Sequence, residues 1–201
     1  MRTRMKSEER RATIVAEAVR LFAEKGFRGT TTRELAAALG VTEPVLYQHF
    51  KTKQELYSAI IESKAREGTE AAAGLRPYLK SSDDVGFLSA LAELILTRYE
   101  HDPAFIRLLF FSALERHDLA QMFFKRQTVR FFDLVAGYIR QRVQAGAFRD
   151  VHPKAAARSF IGMVSYHGLI QVLHGDSCWK RSRKRLIDQI VTTFLEGIRT
   201  K

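Results

Sequence analysis

The sequence is poorest in cysteine. Cys178 is the single one in 201 residues, so no disulfide can close within the chain, and this usage suits a reducing compartment, the cytoplasm. Long hydrophobic runs are missing too. Charge or glycine breaks the longest apolar stretches well short of the ~20 residues that a membrane span requires. No charged-then-apolar signal opens the sequence, because its first apolar-rich stretch is already amphipathic. Nowhere do apolar and polar residues alternate with the period of two that a half-buried strand needs, which points to an all-α protein. Motifs that carry chemistry are equally scarce: there is no His-Glu-x-x-His, Gly-x-Ser-x-Gly, P-loop or paired-cysteine pattern. His167 and His174 share a helix face, but seven residues place them ~10.5 Å apart along the axis, too far for one metal ion. The expectation is no catalytic residue, no cofactor, no metal and no enzyme.

What the chain does have is positive charge and helical periodicity. A hydrophobic content of 46% is that of a globular protein, and 201 residues hold a small head and one larger helical domain. The formal charge of +11 favours a polyanionic partner. Residues 1–55 hold 11 Lys and Arg against 7 acids, a net +4, so the remaining +7 lies further on. Charge therefore supports nucleic-acid binding without locating the site.

Residues 31–53 locate it. Thr31 is a good N-cap, and Glu34 three residues on completes a capping box. Leu35, Ala36 and Leu39 give a small apolar face, and Gly40 ends the helix where positive φ is needed. Val41 plugs the turn. Thr42 caps a second helix with Pro44 in its first turn, where a missing N–H costs little. Leu46 and Phe50, four apart, face inward; Glu43, Pro44, Val45, Tyr47, Gln48 and His49 are left outward. This is a helix-turn-helix, whose second helix enters the major groove.

The run Thr-Thr-Arg-Glu-Leu-Ala, then Leu-Gly-Val-Thr, then Leu-Tyr-Gln-His-Phe-Lys-Thr-Lys resembles the DNA-binding head of the TetR family of bacterial transcription regulators. The likeness extends upstream through Ile14, Ala18, Leu21, Phe22, Gly26 and Thr30 and downstream to about residue 60. Beyond that it is one of helical pattern only. The resemblance implies a three-helix head over residues 1–55 and a larger helical effector-binding and dimerisation domain over 56–201. It implies that Thr32, Tyr47, His49 and Lys53 grip phosphates, contacts that set register without reading sequence. Arg33, Glu43, Pro44, Val45 and Gln48 match positions that face base edges. Val45 suits a thymine methyl, Gln48 an adenine and Glu43 a cytosine N4, provided a cation offsets the Glu43 charge.

In chain order, Arg2, Arg4 and Lys6 form either a solvated tail or a basic arm for DNA. Ser7 opens a first helix with Ile14, Ala18, Leu21 and Phe22 buried, and Gly26 stops it. One helix is expected from Lys53 to about Leu79, weakened by Gly68 and Gly74 and closed by Pro77. Others follow near 84–100, from Pro103, at 116–145, from Pro153 to about His174, and at 182–199. Gly175-Asp176-Ser177 has the residue types of a hydrolase nucleophile turn, yet no strand precedes it, so a helix stop is the reading. The basic run Lys180 to Arg185 reads as a solvated loop and helix start rather than a nucleic-acid tail.

Tyr99, Phe105, Phe110, Phe111, Phe123, Phe124, Phe131, Phe132 and Tyr138 crowd into forty positions. Paired phenylalanines put apolar bulk on two adjoining helix faces, one for a core and one for a cavity. The resemblance implies an effector cavity here, lined by Phe110, Phe111, Phe124 and Phe131, with Tyr99, Arg107, Tyr138, Tyr166 and His167 as polar anchors for a small hydrophobic or aromatic effector. Gly162, Ser165 and Gly168 keep one helix strip small. Ile187, Ile190, Val191, Phe194, Leu195 and Ile198 form a wide apolar stripe. Together they offer more apolar face than one domain covers, and the resemblance implies a four-helix homodimer interface; packing within the chain is the alternative.

The reading is a cytoplasmic, ligand-responsive regulator, nucleoid-associated when bound, that represses from a palindromic double-stranded DNA operator and is released by its effector, with no membrane partner. The alternatives are a ligand-independent DNA-binding or architectural protein and an enzyme built on the helical domain.

Overall fold

The computed structural model describes residues 2–115, 121, 123–124, 128–175 and 178–200. Asp176 and Ser177, which follow Gly175 in the expected helix stop, lie outside them, as do residues 116–120, 122 and 125–127 of the helix expected from residue 116. The described elements are helices α1 (Arg2–Gly29), α2 (Thr32–Ala38), α3 (Glu43–His49), α4 (Lys53–Ala72), α5 (Arg76–Ser81), α6 (Asp84–His101), α7 (Pro103–Leu114), α8 (Val129–Gln144), α9 (Pro153–His174) and α10 (Arg183–Ile198). Among the described residues there is no strand, only an isolated antiparallel bridge between Phe148 and Arg199. No described helix is long and apolar enough to cross a membrane. The chain divides into two compact units, residues 1–67 with 104–124, and 68–103 with 125–201.

In the first unit α1 begins at Arg2, ahead of Ser7, and is broken at Gly26, whose φ of +73° an L side chain rarely adopts. The break frees the Gly26 carbonyl, and the buried Thr30 hydroxyl donates to it at 2.9 Å. Ile14, Ala18 and Phe22 from α1 pack with Leu35, Leu46, Phe50, Leu56, Tyr57 and Ile60. Phe22, Phe27 and Tyr57 form a three-ring cluster with centroids 5.3–5.6 Å apart. Phe105 and Leu108 of α7 join this core, as does Phe123, which meets Phe105 edge-on at 5.3 Å. The head is thus larger than its helix-turn-helix.

The helix expected from 53 to 79 is broken. α4 ends at Ala72, a 3-10 turn covers Ala73–Leu75, and α5 restarts with Pro77 in its first turn. Proline has no N–H to offer the carbonyl four residues back, and Gly74 lowers the cost of leaving the helix. Both residues were legible; their joint effect is a tightened turn rather than a helix end.

The second unit packs α6, α8, α9 and α10 around Phe87, Leu91, Ile95, Ile139, Phe160, Val164 and Phe194. Phe87 stacks on Tyr138 at 4.0 Å, and Phe160 meets Phe194 at 5.0 Å and 63°. Full burial of such a ring is worth about 1.5–3 kcal/mol. At the start of α6 the buried Asp84 carboxylate accepts from the Tyr138 hydroxyl (2.7 Å) and from Arg142 Nε and Nη2 (2.8 and 3.2 Å). Burial and this carboxylate push the Tyr138 phenol well above its ordinary value.

The residues expected at a homodimer interface are placed as follows within the chain. Ile187, Ile190, Val191, Phe194, Leu195 and Ile198 are all buried in the core of their own chain, because α10 turns its wide stripe toward α6 and α9. The small strip of α9 is also partly used within the chain. Gly168 lies beneath Tyr99, where a Cβ would run into the root of the ring, and Ser165 is hydrogen-bonded to the Tyr99 hydroxyl. Gly162 alone of the three is open.

Candidate nucleic-acid interface

The interface is built on reciprocal caps. Thr31 Oγ1 accepts from the Glu34 N–H at 3.1 Å, and Glu34 Oε2 accepts from the Thr31 N–H at 2.8 Å. Lys25 Nζ adds a donor to the same carboxylate at 2.6 Å. The Lys25 and Thr31 donors together pull the Glu34 carboxyl down to about 2. Gly40 takes φ +64°, and the Val41 N–H then returns to the Ala36 carbonyl at 3.0 Å, closing the turn. Thr42 occupies the N-cap position of α3 in extended conformation without a side-chain cap bond, and Pro44 follows in the first turn. Leu46 and Phe50 are buried.

α3 therefore presents a defined outer face. Pro44, Tyr47 (44% exposed) and Gln48 are exposed; Glu43, Val45 and His49 are half-buried; Arg33 on α2 is exposed. Tyr47 donates its hydroxyl to Thr32 Oγ1 at 3.4 Å, and Thr32 donates in turn to Glu43 Oε2 at 2.8 Å. The base-facing and phosphate-facing candidates Glu43, Thr32 and Tyr47 are thus brought into one chain of bonds. His49 offers its backbone carbonyl to Arg11 Nη1 at 2.5 Å, and the Arg11 guanidinium lies 4.0 Å over the Phe50 ring. Arg11 ties α1 to the C-terminal end of α3, where a cation is favoured. Sequence reasoning missed it, since a pairing 38 residues apart leaves no periodic trace.

Lys53 is turned inward. Its ammonium donates to the carbonyls of Phe27 (2.5 Å) and Thr30 (2.7 Å) and lies 4.2 Å over the Phe27 ring. Burial pushes its pKa down, opposed by the nearby charges of Glu115 and Glu34. It clamps the α1–α2 loop to the start of α4, with one N–H left over.

The effector candidates fall in both units. In the first unit Arg107 is exposed, Phe110 and Phe111 are each 39% exposed and Phe124 is 50% exposed, whereas Phe123 is core. In the second unit Tyr138 is committed to Asp84 and Phe87, and Tyr99 to Gly168 and Ser165. Phe131 and His167 are half-buried, and Tyr166 is exposed with its ring 6.2 Å from that of His167. Two grooves of the second unit, of about 310 and 600 Å³, run between α6 and α10 past Ser89 and Asp188, and none of these nine candidates lines either.

Against known proteins, the family model "Bacterial regulatory proteins, tetR family" matches residues 14–60, and "AefR-like transcriptional repressor, C-terminal domain" matches residues 87–197. The chain belongs to the TetR family of bacterial regulators. Within that family it is 31% identical over 166 residues to the nucleoid occlusion factor SlmA of Marinobacter nauticus, covering 81% of this chain and 82% of SlmA. It is 34% identical over 108 residues to FasR, an HTH-type transcriptional activator of Mycolicibacterium smegmatis. That match covers 53% of this chain and only 48% of FasR. Among solved structures, AibR in complex with isovaleryl coenzyme A and operator DNA superposes with a TM-score of 0.69 at 22% identity, over 92% of this chain and 97% of that one. The TetR fold thus spans nearly the whole chain.

Proposed function

We propose that this TetR-family protein is a repressor that binds a palindromic operator as a homodimer and is released by a small hydrophobic effector. The observation that carries the DNA-binding half is the outer face of α3, with Pro44, Val45, Tyr47 and Gln48 held outward on a helix-turn-helix whose first helix is closed by the Thr31–Glu34 capping box. A helix presented this way reads base edges from its N-terminal residues. Val45 meets a thymine methyl, Gln48 pairs with adenine, and Arg33 reaches in from α2. Tyr47, His49 and the third N–H of Lys53 supply phosphate contacts. The effector half draws support from AibR, whose structure holds both isovaleryl coenzyme A and operator DNA. Because Lys53 joins α4 to the loop that carries the Thr31 cap, a rotation of α4 on effector binding moves α2 with it.

The test is selection of duplexes from a random pool, with titration of the selected site against isovaleryl coenzyme A and longer acyl and aromatic compounds. Effector and DNA must weaken each other by the same factor, typically about 5–150-fold. A second reading, a DNA-binding protein that needs no effector, draws on the SlmA likeness, which extends over most of both chains. It predicts duplex affinity that no such compound changes.

A further inference from the structure

We propose that Glu43 is a specificity filter, holding the two phosphate-gripping hydroxyls of Thr32 and Tyr47 in an internal relay until a cognate base releases them. The inference rests on the reading of α3 as the DNA-binding helix. A hydroxyl has one proton to donate. Thr32 donates its proton to Glu43 Oε2 at 2.8 Å, and Tyr47 directs its own at Thr32 Oγ1 at 3.4 Å. Neither proton is then available to a phosphate oxygen. The relay ends on a carboxylate at the first residue of α3, where the helix dipole favours a negative charge. Among the described residues no basic side chain pairs with Glu43, and its only partner there is the Thr32 hydroxyl, on a surface that must meet polyanionic DNA.

Docking on phosphate therefore requires both hydroxyl protons to leave the relay, which strips Glu43 of its donor. The cost of that loss is set by the base beneath the carboxylate. Opposite a cytosine it accepts from the N4 amino group and its loss is made good. Opposite guanine or thymine it faces acceptors only, and a desolvated carboxylate without a donor is costly. On arbitrary DNA the carboxylate simply opposes the phosphates. Glu43 weakens every complex a little and the wrong complex most, and specificity is that difference.

The test compares wild type with Glu43→Gln, which keeps an oxygen able to accept from Thr32 while removing the charge, and with Glu43→Ala, which removes the relay altogether. Each is titrated by fluorescence anisotropy against sonicated mixed-sequence duplex and against the duplex selected by the wild-type protein, from 0.05 to 0.3 M salt. Removing one negative charge per head should steepen the salt slope on mixed-sequence DNA by about 0.9 for each head bound, roughly eightfold tighter at 0.1 M salt. The selected site should gain less or lose affinity, so the ratio of selected to mixed-sequence affinity falls. Circular dichroism and thermal unfolding confirm that both variants are folded. If both variants match wild type on mixed-sequence DNA in slope and affinity, the filter is refuted. If wild type binds no duplex at all, the DNA-binding reading itself fails, and the two failures are distinct.

Discussion

Replacing Phe194 with alanine decides whether the last helix closes a core or a dimer. Phe194 is 7% exposed in the single chain, and its ring meets Phe160 edge-on at 5.0 Å. Truncation of a buried phenylalanine costs about 3–5 kcal/mol, which includes the aromatic pair and the cavity left behind. For a chain of this size each kcal/mol lowers Tm by about 2–4 °C, so the expected fall is roughly 6–20 °C. The assay is thermal unfolding by circular dichroism at two protein concentrations a hundredfold apart, with sedimentation velocity on the same samples. A side chain inside the monomer core gives the same fall at both concentrations. A side chain between subunits gives a fall that mass action largely repairs at the higher concentration. Gln189→Ala, on the exposed face of the same helix, should stay within about 0.5 kcal/mol of wild type. A Phe194→Ala protein that keeps its Tm but sediments as a smaller species refutes the placement of α10 in its own core.

Three further outcomes are expected. Asp84→Ala should cost about 3–5 kcal/mol in urea unfolding by leaving the Arg142 charge half-buried without its partner, and adding Arg142→Met should recover much of it; equal losses in single and double variants would refute the pairing. Because Glu34 titrates at about 2 when folded against its ordinary value of 4.5, its capping contribution is complete above pH 4.5 and is lost as pH falls toward 2; Glu34→Gln should flatten the acid limb of a stability profile across that window, and an unchanged limb would refute the assignment. Lys53→Ala should lower stability without DNA by about 1–3 kcal/mol through the loss of two charge-assisted bonds, and should reduce the salt slope of DNA binding by about one; unchanged stability refutes the clamp, and an unchanged slope refutes the phosphate contact.

The helix-turn-helix was legible because its signals are local. A capping box needs only Thr31 and Glu34 three residues apart, and a positive-φ stop needs only Gly26 or Gly40 at the right distance from an apolar stripe. The partners of Arg11 and Lys53 were not legible, since they depend on segments 26 to 38 residues apart meeting in space. The stripe of α10 was legible only in part. Period 3.6 says that a face is apolar, but it says nothing about whether the covering atoms belong to the same chain or to a copy. The paired phenylalanines behaved likewise: Phe123 and Phe124 are adjacent, yet one is core and the other half exposed.

The contact between Gly168 and Tyr99 constrains how this chain can change over time. The obstruction to a side chain at position 168 is the root of the tyrosine ring, which no rotamer removes. A methyl at 168 would therefore have to arrive together with a smaller residue at 99, or after it. Drift at these two positions is coupled, and a single replacement at 168 is a dead end that a paired one escapes. A library randomised at both sites and sorted for folded protein should return glycine at 168 with tyrosine at 99, larger residues at 168 only with small ones at 99, and few mixtures.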